Sequence, residues 1–302
     1  MTVESPLMNG VEAHYVGSIS RNSLVSRYAD QLGVDISDYF KDLTEVTIYE
    51  CPSTGYRFYY PFSLTGREDL YQHLQQFDWN YKPDKWEYQQ AASSIPRGAR
   101  VLDVGCGKGA FLSIAARHGL VGTGLELNSS AVQVATEGGL DVRRQFVGEH
   151  ASAHKEFYDA VCSFQVLEHI PDVSEFISGC LQCLKPGGLL IFGVPNNDGF
   201  LKYAEAPLNA PPHHMGLWTR KSLESLTKIF PLRIVSIKNE PLAEIDWYLA
   251  VQERRFLKEG FARRLYHKLG VPKILRRLVA ARANQIPGHT VLVAYRKAEA
   301  LK

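Results

Sequence analysis

The run Val101-Leu102-Asp103-Val104-Gly105-Cys106-Gly107-Lys108-Gly109-Ala110-Phe111-Leu112 constrains the fold more than any other part of the chain. A short apolar strand passes directly into a glycine corner and then into a helical period. Glycine at such a corner allows positive φ and lets a ligand lie against bare backbone, at the positive end of the following helix. Downstream, apolar runs alternate with helical periods, the pattern of a parallel sheet wound with helices. Strands are expected at Arg100–Gly105, Val121–Glu126, Leu140–Phe146, Tyr158–Ser163, Leu189–Val194, Leu232–Asn239 and His289–Arg296. Helices are expected near Ala110–Arg117, Ser129–Glu137, Val173–Leu184 and Thr219–Ile229. The third starts at Asp172-x-x-Glu175, a capping-box spacing, and stops at Pro186-Gly187-Gly188, where proline cannot continue a helix.

The glycine corner alone is ambiguous. Gly105-x-Gly107-x-x-Ala110 also satisfies a relaxed dinucleotide fingerprint, and Glu126 sits near the ~20-residue offset of a ribose-binding acid. Asp103 argues against that reading. A carboxylate at the end of the strand repels a pyrophosphate but suits a ligand carrying an ammonium or sulfonium. Glu126 closes the next strand, where a carboxylate can accept both hydroxyls of a ribose. Packing requires a carboxylate at neither position. The chain after the fifth strand also lacks a second mononucleotide-binding half.

Three segments together carry a family resemblance. Asp103-Val104-Gly105-Cys106-Gly107-Lys108-Gly109 resembles the glycine motif of class I S-adenosylmethionine-dependent methyltransferases. Phe157-Tyr158-Asp159-Ala160-Val161 followed by Gln165-Val166-Leu167-Glu168-His169-Ile170 resembles their fourth-strand motif, and Leu184-Lys185-Pro186-Gly187-Gly188-Leu189-Leu190-Ile191 the turn into their fifth strand. The likeness covers roughly residues 82–240 and 289–297. It implies a Rossmann-like α/β fold with a seven-stranded sheet in the order 3-2-1-4-5-7-6 and an antiparallel last strand. It implies S-adenosylmethionine as cofactor, bound by Asp103, Gly105, Cys106, Gly107, Gly109, Glu126, Leu127 and Gln165.

Two further patches resemble the ubiquinone-biosynthesis O-methyltransferases. Tyr81-Lys82-Pro83-Asp84-Lys85-Trp86-Glu87 is similar to a segment lining the cofactor site, which adds Lys85 and Trp86; a plain amphipathic helix is the competing reading. Pro211-Pro212-His213-His214-Met215-x-x-Trp218-Thr219 is similar to a loop over the active site. There are departures. The third-strand acids that often meet adenine are missing from Arg143–Gly148. Some ubiquinone-type enzymes bind a metal through Glu-x-x-Glu-His, but here Gln165 replaces the first carboxylate. A neutral amide weakens a hard-cation site, so no metal is expected.

Methyl transfer needs alignment of acceptor, methyl and sulfur, exclusion of water and, for some acceptors, removal of a proton. Ligands of open α/β sheets sit beyond the carboxyl ends of the strands, which puts the loop Pro195–Trp218 over the reaction centre. His213 or His214 is the expected general base, His214 preferred, against the alternative that they only bond loop backbone. His169 and Glu168 read first as packing or loop-orienting groups. An oxygen of a small-molecule, glycan or lipid-linked acceptor is the expected target. The rival readings are a nicotinamide-dependent oxidoreductase and a catalytically inactive cofactor-binding partner protein.

The organisation expected is an N-terminal α+β extension (1–80), with a hairpin of Val46–Cys51 and Tyr56–Tyr60, then the methyltransferase domain (81–302). Cys51-Pro52-x-x-Gly55 is half a zinc ribbon without its second half. A helical insertion at about 244–286 precedes the last strand, with Leu257, Phe261, Leu265 and Leu269 forming one stripe and Pro272 opening a second helix. From Glu253 to Arg282, ten Lys/Arg face two acids, a balance of +8, so the rest of this +2 chain sums to −6. That segment reads as a cap or a homodimer arm, or as a surface for an anionic partner. Nucleic acid is not expected, since no RNA or DNA module accompanies it. Five cysteines, an odd number, and no apolar leader argue for reduced thiols and a cytoplasmic protein. Cys180 and Cys183 share one helix face and read as buried packing.

Overall fold

The computed structural model describes residues 2–74, 83–257 and 260–299. Strands β1 (Arg100–Val104), β2 (Val121–Leu125), β3 (Val142–Arg143), β4 (Tyr158–Phe164), β5 (Leu184–Pro195), β6 (Leu232–Pro241) and β7 (Pro287–Lys297) form one sheet in the order 3-2-1-4-5-7-6. The β1–β2, β1–β4, β2–β3 and β4–β5 pairings are parallel, and β7 runs antiparallel to both β5 and β6. This is the order the resemblance implied, with the last strand antiparallel.

Alternation along each strand builds the core. Leu102, Val161, Leu190, Phe192, Val291 and Val293 point to one face. Their neighbours Val101, Ala160, Cys162, Leu189, Ile191, Leu292 and Ala294 point to the other. Both faces are covered by helices, so the strands read as continuous apolar runs rather than alternating ones. Those helices include α1 (Ala110–Arg117), α2 (Ser129–Glu137), α3 (Val147–Ala153), α4 (Val173–Cys183) and α5 (Arg220–Ile229). Asp172 caps α4, its side chain accepting from Glu175 N at 3.1 Å. Cys180 and Cys183 are buried thiols on the core face of α4. The third strand is two residues rather than the expected Leu140–Phe146. As the sheet edge it pairs with β2 alone, and the chain turns into α3 directly afterwards.

The expected hairpin, Glu45–Glu50 with Arg57–Tyr60, lies in a second, four-stranded antiparallel sheet. One edge of that sheet is His14–Ser20, and the other is Gly216–Leu217 from the loop after β5. Leu24, Tyr28, Ile36, Phe40, Val46 and Tyr59 pack beneath it together with Ala210 and Met215 of that loop. The extension is therefore built into the scaffold of the loop.

The insertion holds α6 (Ile245–Phe256), α7 (Phe261–Lys268) and α8 (Val271–Ala281). Here the expectation of one stripe from Leu257 to Leu269 fails. Gly260 has φ +143, a conformation favouring glycine, and it separates Leu257, which ends α6, from Phe261, which begins α7. α6 packs Trp247, Tyr248 and Val251 against Phe200 and Leu201. α7 and α8 bury no residue at all. Among the described residues no helix is long and apolar enough to cross a membrane.

Candidate functional site

A cleft of about 1500 Å³ opens at the carboxyl ends of β1, β2, β4 and β5. Single-ligand pockets run ~300–1,000 Å³, so this one has room for two molecules side by side. Its walls divide into two chemically different halves.

The first half is the glycine corner. Gly105, Gly107 and Gly109 all have positive φ. A Cβ on Gly105 would lie 2.3 Å from the Val166 side chain, so only glycine lets the corner approach the loop after β4. Glu126 clamps the corner from the next strand. One of its oxygens accepts from Gly107 N at 2.8 Å; the other accepts from Leu127 N and Asn128 N, both at 2.8 Å. Asp103 lies beneath the corner, 2% exposed, with Oδ1 lacking a hydrogen-bond partner. Burial, reinforced by the charge of Glu126, pushes its carboxyl up to about 8. Glu87 is a second buried carboxyl, and Gln165 Nε2 donates to it at 3.3 Å. Gln165 itself holds φ +56, an uncommon conformation for a side-chain-bearing residue and one that clusters at functional sites.

The second half is a histidine pocket. His169, His213 and His214 stack edge-to-face or face-to-face with centroids 4.5–4.8 Å apart. Burial takes His169 down to about 4 and holds His213 and His214 well below the usual imidazole range. Beneath them Glu168 is 1% exposed, its carboxyl pushed up to about 8 by burial, and neither oxygen has a hydrogen-bond partner. The N-terminal extension holds this pocket in place. Tyr28 Oη donates to the Ala210 carbonyl at 3.0 Å and accepts from His213 N at 3.4 Å. Tyr59 Oη donates to the Asn209 carbonyl at 3.0 Å, and Met215 N to the Glu168 carbonyl at 2.7 Å.

Of the expected cofactor residues, Lys85, Trp86, Gly105, Glu126, Leu127 and Gln165 line the cleft. Asp103, Cys106, Gly107 and Gly109 sit behind the wall: Asp103 and Cys106 are buried, and Gly109 caps α1. His213 and His214 line the cleft together with Glu168 and His169. Tyr81 lies outside the described residues. Sequence reasoning passed over Glu87, Tyr71 and Asn209, which also line the cleft. Glu87 lies inside the Tyr81–Glu87 segment, in the first turn of the helix Trp86–Ser94, where an acid also suits the helix dipole and so gives no separate signal. Tyr71 and Asn209 carried no local signal.

Comparison with known proteins agrees with this geometry. The pattern of the methyltransferase domain family matches residues 71–237, more than half of the chain. The ubiquinone biosynthesis O-methyltransferases of Salmonella arizonae and Salmonella newport are 40% identical over 108 residues, 34% of this chain and 45% of each relative. The chain thus spans about half the length of the curated relatives it matches. A methyltransferase from Archaeoglobus fulgidus superposes with a TM-score of 0.53 at 17% identity, covering 77% of this chain and 100% of that one. One from Thermotoga maritima gives 0.51 at 16% identity, covering 76% and 97%. At such identities these two likenesses concern the fold.

Proposed function

Because the chain belongs to the methyltransferase domain family and has its S-adenosylmethionine-dependent fold, we propose that it methylates a hydroxyl of a small, amphiphilic acceptor. The observation that carries the cofactor reading is the set of three carboxyls around the glycine corner: Asp103, Glu87 and Glu126. They suit a ligand bearing an ammonium and a sulfonium and would repel a pyrophosphate, which weighs against a nicotinamide cofactor. Lys85, Trp86, Leu127 and Gln165 line the same half and would hold the nucleoside and the amino-acid tail. When bound, the cofactor supplies a sulfonium-activated methyl group that passes to the acceptor oxygen as its carbon–sulfur bond breaks, leaving a thioether and a methyl ether.

The acceptor half supports oxygen as the target. Neutral imidazoles on His213 and His214 receive the acceptor O–H, while Leu201, Leu208 and Trp247 give its carbon frame an apolar wall. Burial has lowered the proton affinity of these imidazoles, so they pass the acceptor's proton on to solvent at the mouth of the cleft as the methyl ether forms rather than keep it. The test is a methyl-transfer screen with isotopically labelled S-adenosylmethionine across phenols, sugars, carboxylic acids and amines. Methyl ethers are expected. Products confined to amines would overturn the acceptor assignment, and binding without any product would favour the inactive-partner reading.

The amphiphilic character of the acceptor is supported by α7 and α8. Phe261, Leu269, Ile274 and Leu278 are 80%, 63%, 57% and 52% exposed, whereas a cap would have buried them. Between Gly260 and Arg282 there are seven Lys/Arg and no acid. An apolar stripe flanked by cations is the pattern of a helix lying in the headgroup region of an anionic bilayer. Vesicles containing phosphatidylserine should therefore co-sediment the protein at low salt and release it in part at physiological salt, where screening acts over ~8–10 Å. Phe261→Asp with Leu278→Asp should abolish the association. A dimer in light scattering that ignores vesicles would instead assign the stripe to a second copy.

A further inference from the structure

The three imidazoles of the acceptor half differ in what fixes them. His169 Nδ1 donates to the His213 carbonyl at 2.6 Å, and His213 Nδ1 to the Leu208 carbonyl at 3.1 Å. A backbone carbonyl only accepts, so both of these rings hold their proton on Nδ1. The His214 ring is bonded by a side chain instead, its Nδ1 facing Asn209 Oδ1 at 3.3 Å. An amide side chain can turn either its oxygen or its N–H side to a neighbour. The tautomer of His214 therefore depends on which way Asn209 is turned.

A relay of side chains settles that. The Pro195 carbonyl, at the end of β5, accepts from Asn197 Nδ2 at 3.3 Å. Because the carbonyl has no proton to give, Asn197 presents its N–H side there and its oxygen to the other side. Asn209 Nδ2 donates to that oxygen at 2.9 Å, so Asn209 in turn presents Oδ1 to His214. An acceptor opposite Nδ1 draws the ring proton to Nδ1 and leaves a lone pair on Nε2. One fixed acceptor at the end of a strand thus sets the polarity of two amides and one imidazole. The backbone of the relay is held as well. Asn197 N donates to the Trp218 carbonyl at 3.1 Å, Tyr59 Oη to the Asn209 carbonyl at 3.0 Å, and His214 N to the Ala210 carbonyl at 3.2 Å. Asn197 is buried behind the cleft wall, whereas Asn209 and His214 line the cleft.

The lone pair on Nε2 is kept for a ligand. Glu168 Oε1 stands 4.0 Å from it, beyond hydrogen-bond reach, and the ring centroids of His169 and His213 lie 4.8 and 4.7 Å from that of His214. We infer that Asn197 and Asn209 are positioning residues for methyl transfer, holding His214 in the Nδ1-protonated tautomer so that Nε2 receives the proton of the acceptor hydroxyl. The catalytic consequence rests on the methyltransferase reading above. In the other tautomer Nε2 carries a proton and donates to the acceptor oxygen. That bond ties up the lone pair which must attack the methyl carbon, and it leaves the hydroxyl proton without a receiver. An amide also orients the ring without adding a negative charge. His214 therefore keeps the low proton affinity that lets it pass the proton on.

The first test needs no ligand. Long-range proton–nitrogen correlation spectra of the full chain, labelled with heavy nitrogen at its histidines, show which ring nitrogen of a neutral imidazole bears the proton. Loss of signals in His214→Gln assigns the ring. The wild-type His214 is expected to be protonated at Nδ1. Asn197→Leu removes the group that orients Asn209 and touches no atom bonded to His214. Asn209 can then turn its N–H side to the ring, and the proton should move to Nε2 in His214 alone, because backbone carbonyls hold His169 and His213. Asn197→Asp keeps an acceptor for Asn209 and should keep the wild-type tautomer. Circular dichroism checks folding, and Asn209→Leu stands in should Asn197→Leu unfold. On the alcohol or phenol turned over in the screen above, Asn197→Leu should lower turnover ~100-fold with affinity for S-adenosylhomocysteine unchanged. A wild-type His214 protonated at Nε2 or at both nitrogens, or a folded Asn197→Leu chain whose His214 keeps its proton on Nδ1, would overturn the relay. Those outcomes leave the methyltransferase reading standing, since that reading fails on a different result, a folded chain that binds no S-adenosylhomocysteine.

Discussion

Replacing Glu126 by alanine is expected to cut affinity for S-adenosylmethionine and S-adenosylhomocysteine by ~10- to 100-fold and to destabilise the free protein as well. The second effect follows from the geometry. Glu126 accepts hydrogen bonds from the backbone of Gly107, Leu127 and Asn128, all at 2.8 Å, so it holds the glycine corner before any ligand arrives. Bonds to a charged acceptor are worth ~1.5–3 kcal/mol each when no water replaces them. The carboxylate is only partly buried, so water recovers some of that, and a net loss of about 2 kcal/mol is a reasonable scale. Ribose hydroxyls must then share a carboxylate that already serves three donors, which makes Glu126→Gln nearly as damaging as alanine for the ligand but milder for stability. Calorimetry and denaturant unfolding of both variants provide the check. Unchanged ligand affinity, or tight binding of NAD by the wild type, would refute the assignment of this half of the cleft.

Asp103→Asn is expected to do two opposite things. It should weaken the cofactor by about a hundredfold or more, because an amide cannot ionise, whereas the Asp103 carboxyl can release its proton when a cationic ligand arrives beside it. It should also stabilise the free protein, increasingly so as pH rises. The carboxyl lies at about 8 in the folded chain against 3.8 unfolded. A raised carboxyl means that between those values the folded state holds a proton the unfolded state has lost. Its contribution is therefore fully present below 3.8, declines by ~1.4 kcal/mol per pH unit at most, and is gone above about 8. Asparagine removes that slope. Thermal unfolding of both proteins from acid to mildly alkaline pH should show the variant gaining on the wild type up to about pH 8 and then running parallel. A constant difference across that range would mean that Asp103 is ionised throughout and paired.

The comparison of sequence with structure separates local from distant causes. α1 and α2 have the expected bounds, because their caps and apolar spacing lie within ten residues of each other. The insertion was misread at Leu257 for a reason of the same kind. A four-residue recurrence looks like one helix, but a single backbone angle at Gly260 divides it, and spacing carries no information about φ. Glu126 was legible as a carboxylate at the end of a strand. Its three backbone partners were not, because the sequence does not say whether the corner folds back against it.

The sequence by itself determined the sheet, the glycine corner, and the location of two histidines in a loop beyond the strands, since hydrophobic period, glycine and proline act over short stretches of chain. Only the tertiary structure decided what those histidines meet. His169 and His213 stand 44 residues apart, yet the His169 ring bonds the His213 carbonyl. Tyr28 and Tyr59, from the extension, fix the loop that brings them together. Which nitrogen of each ring stays free depends on the Leu208 carbonyl, the His213 carbonyl and Asn209, and burial then keeps the rings neutral. Convergence of that kind comes from long-range packing and desolvation, which no spacing along the chain encodes.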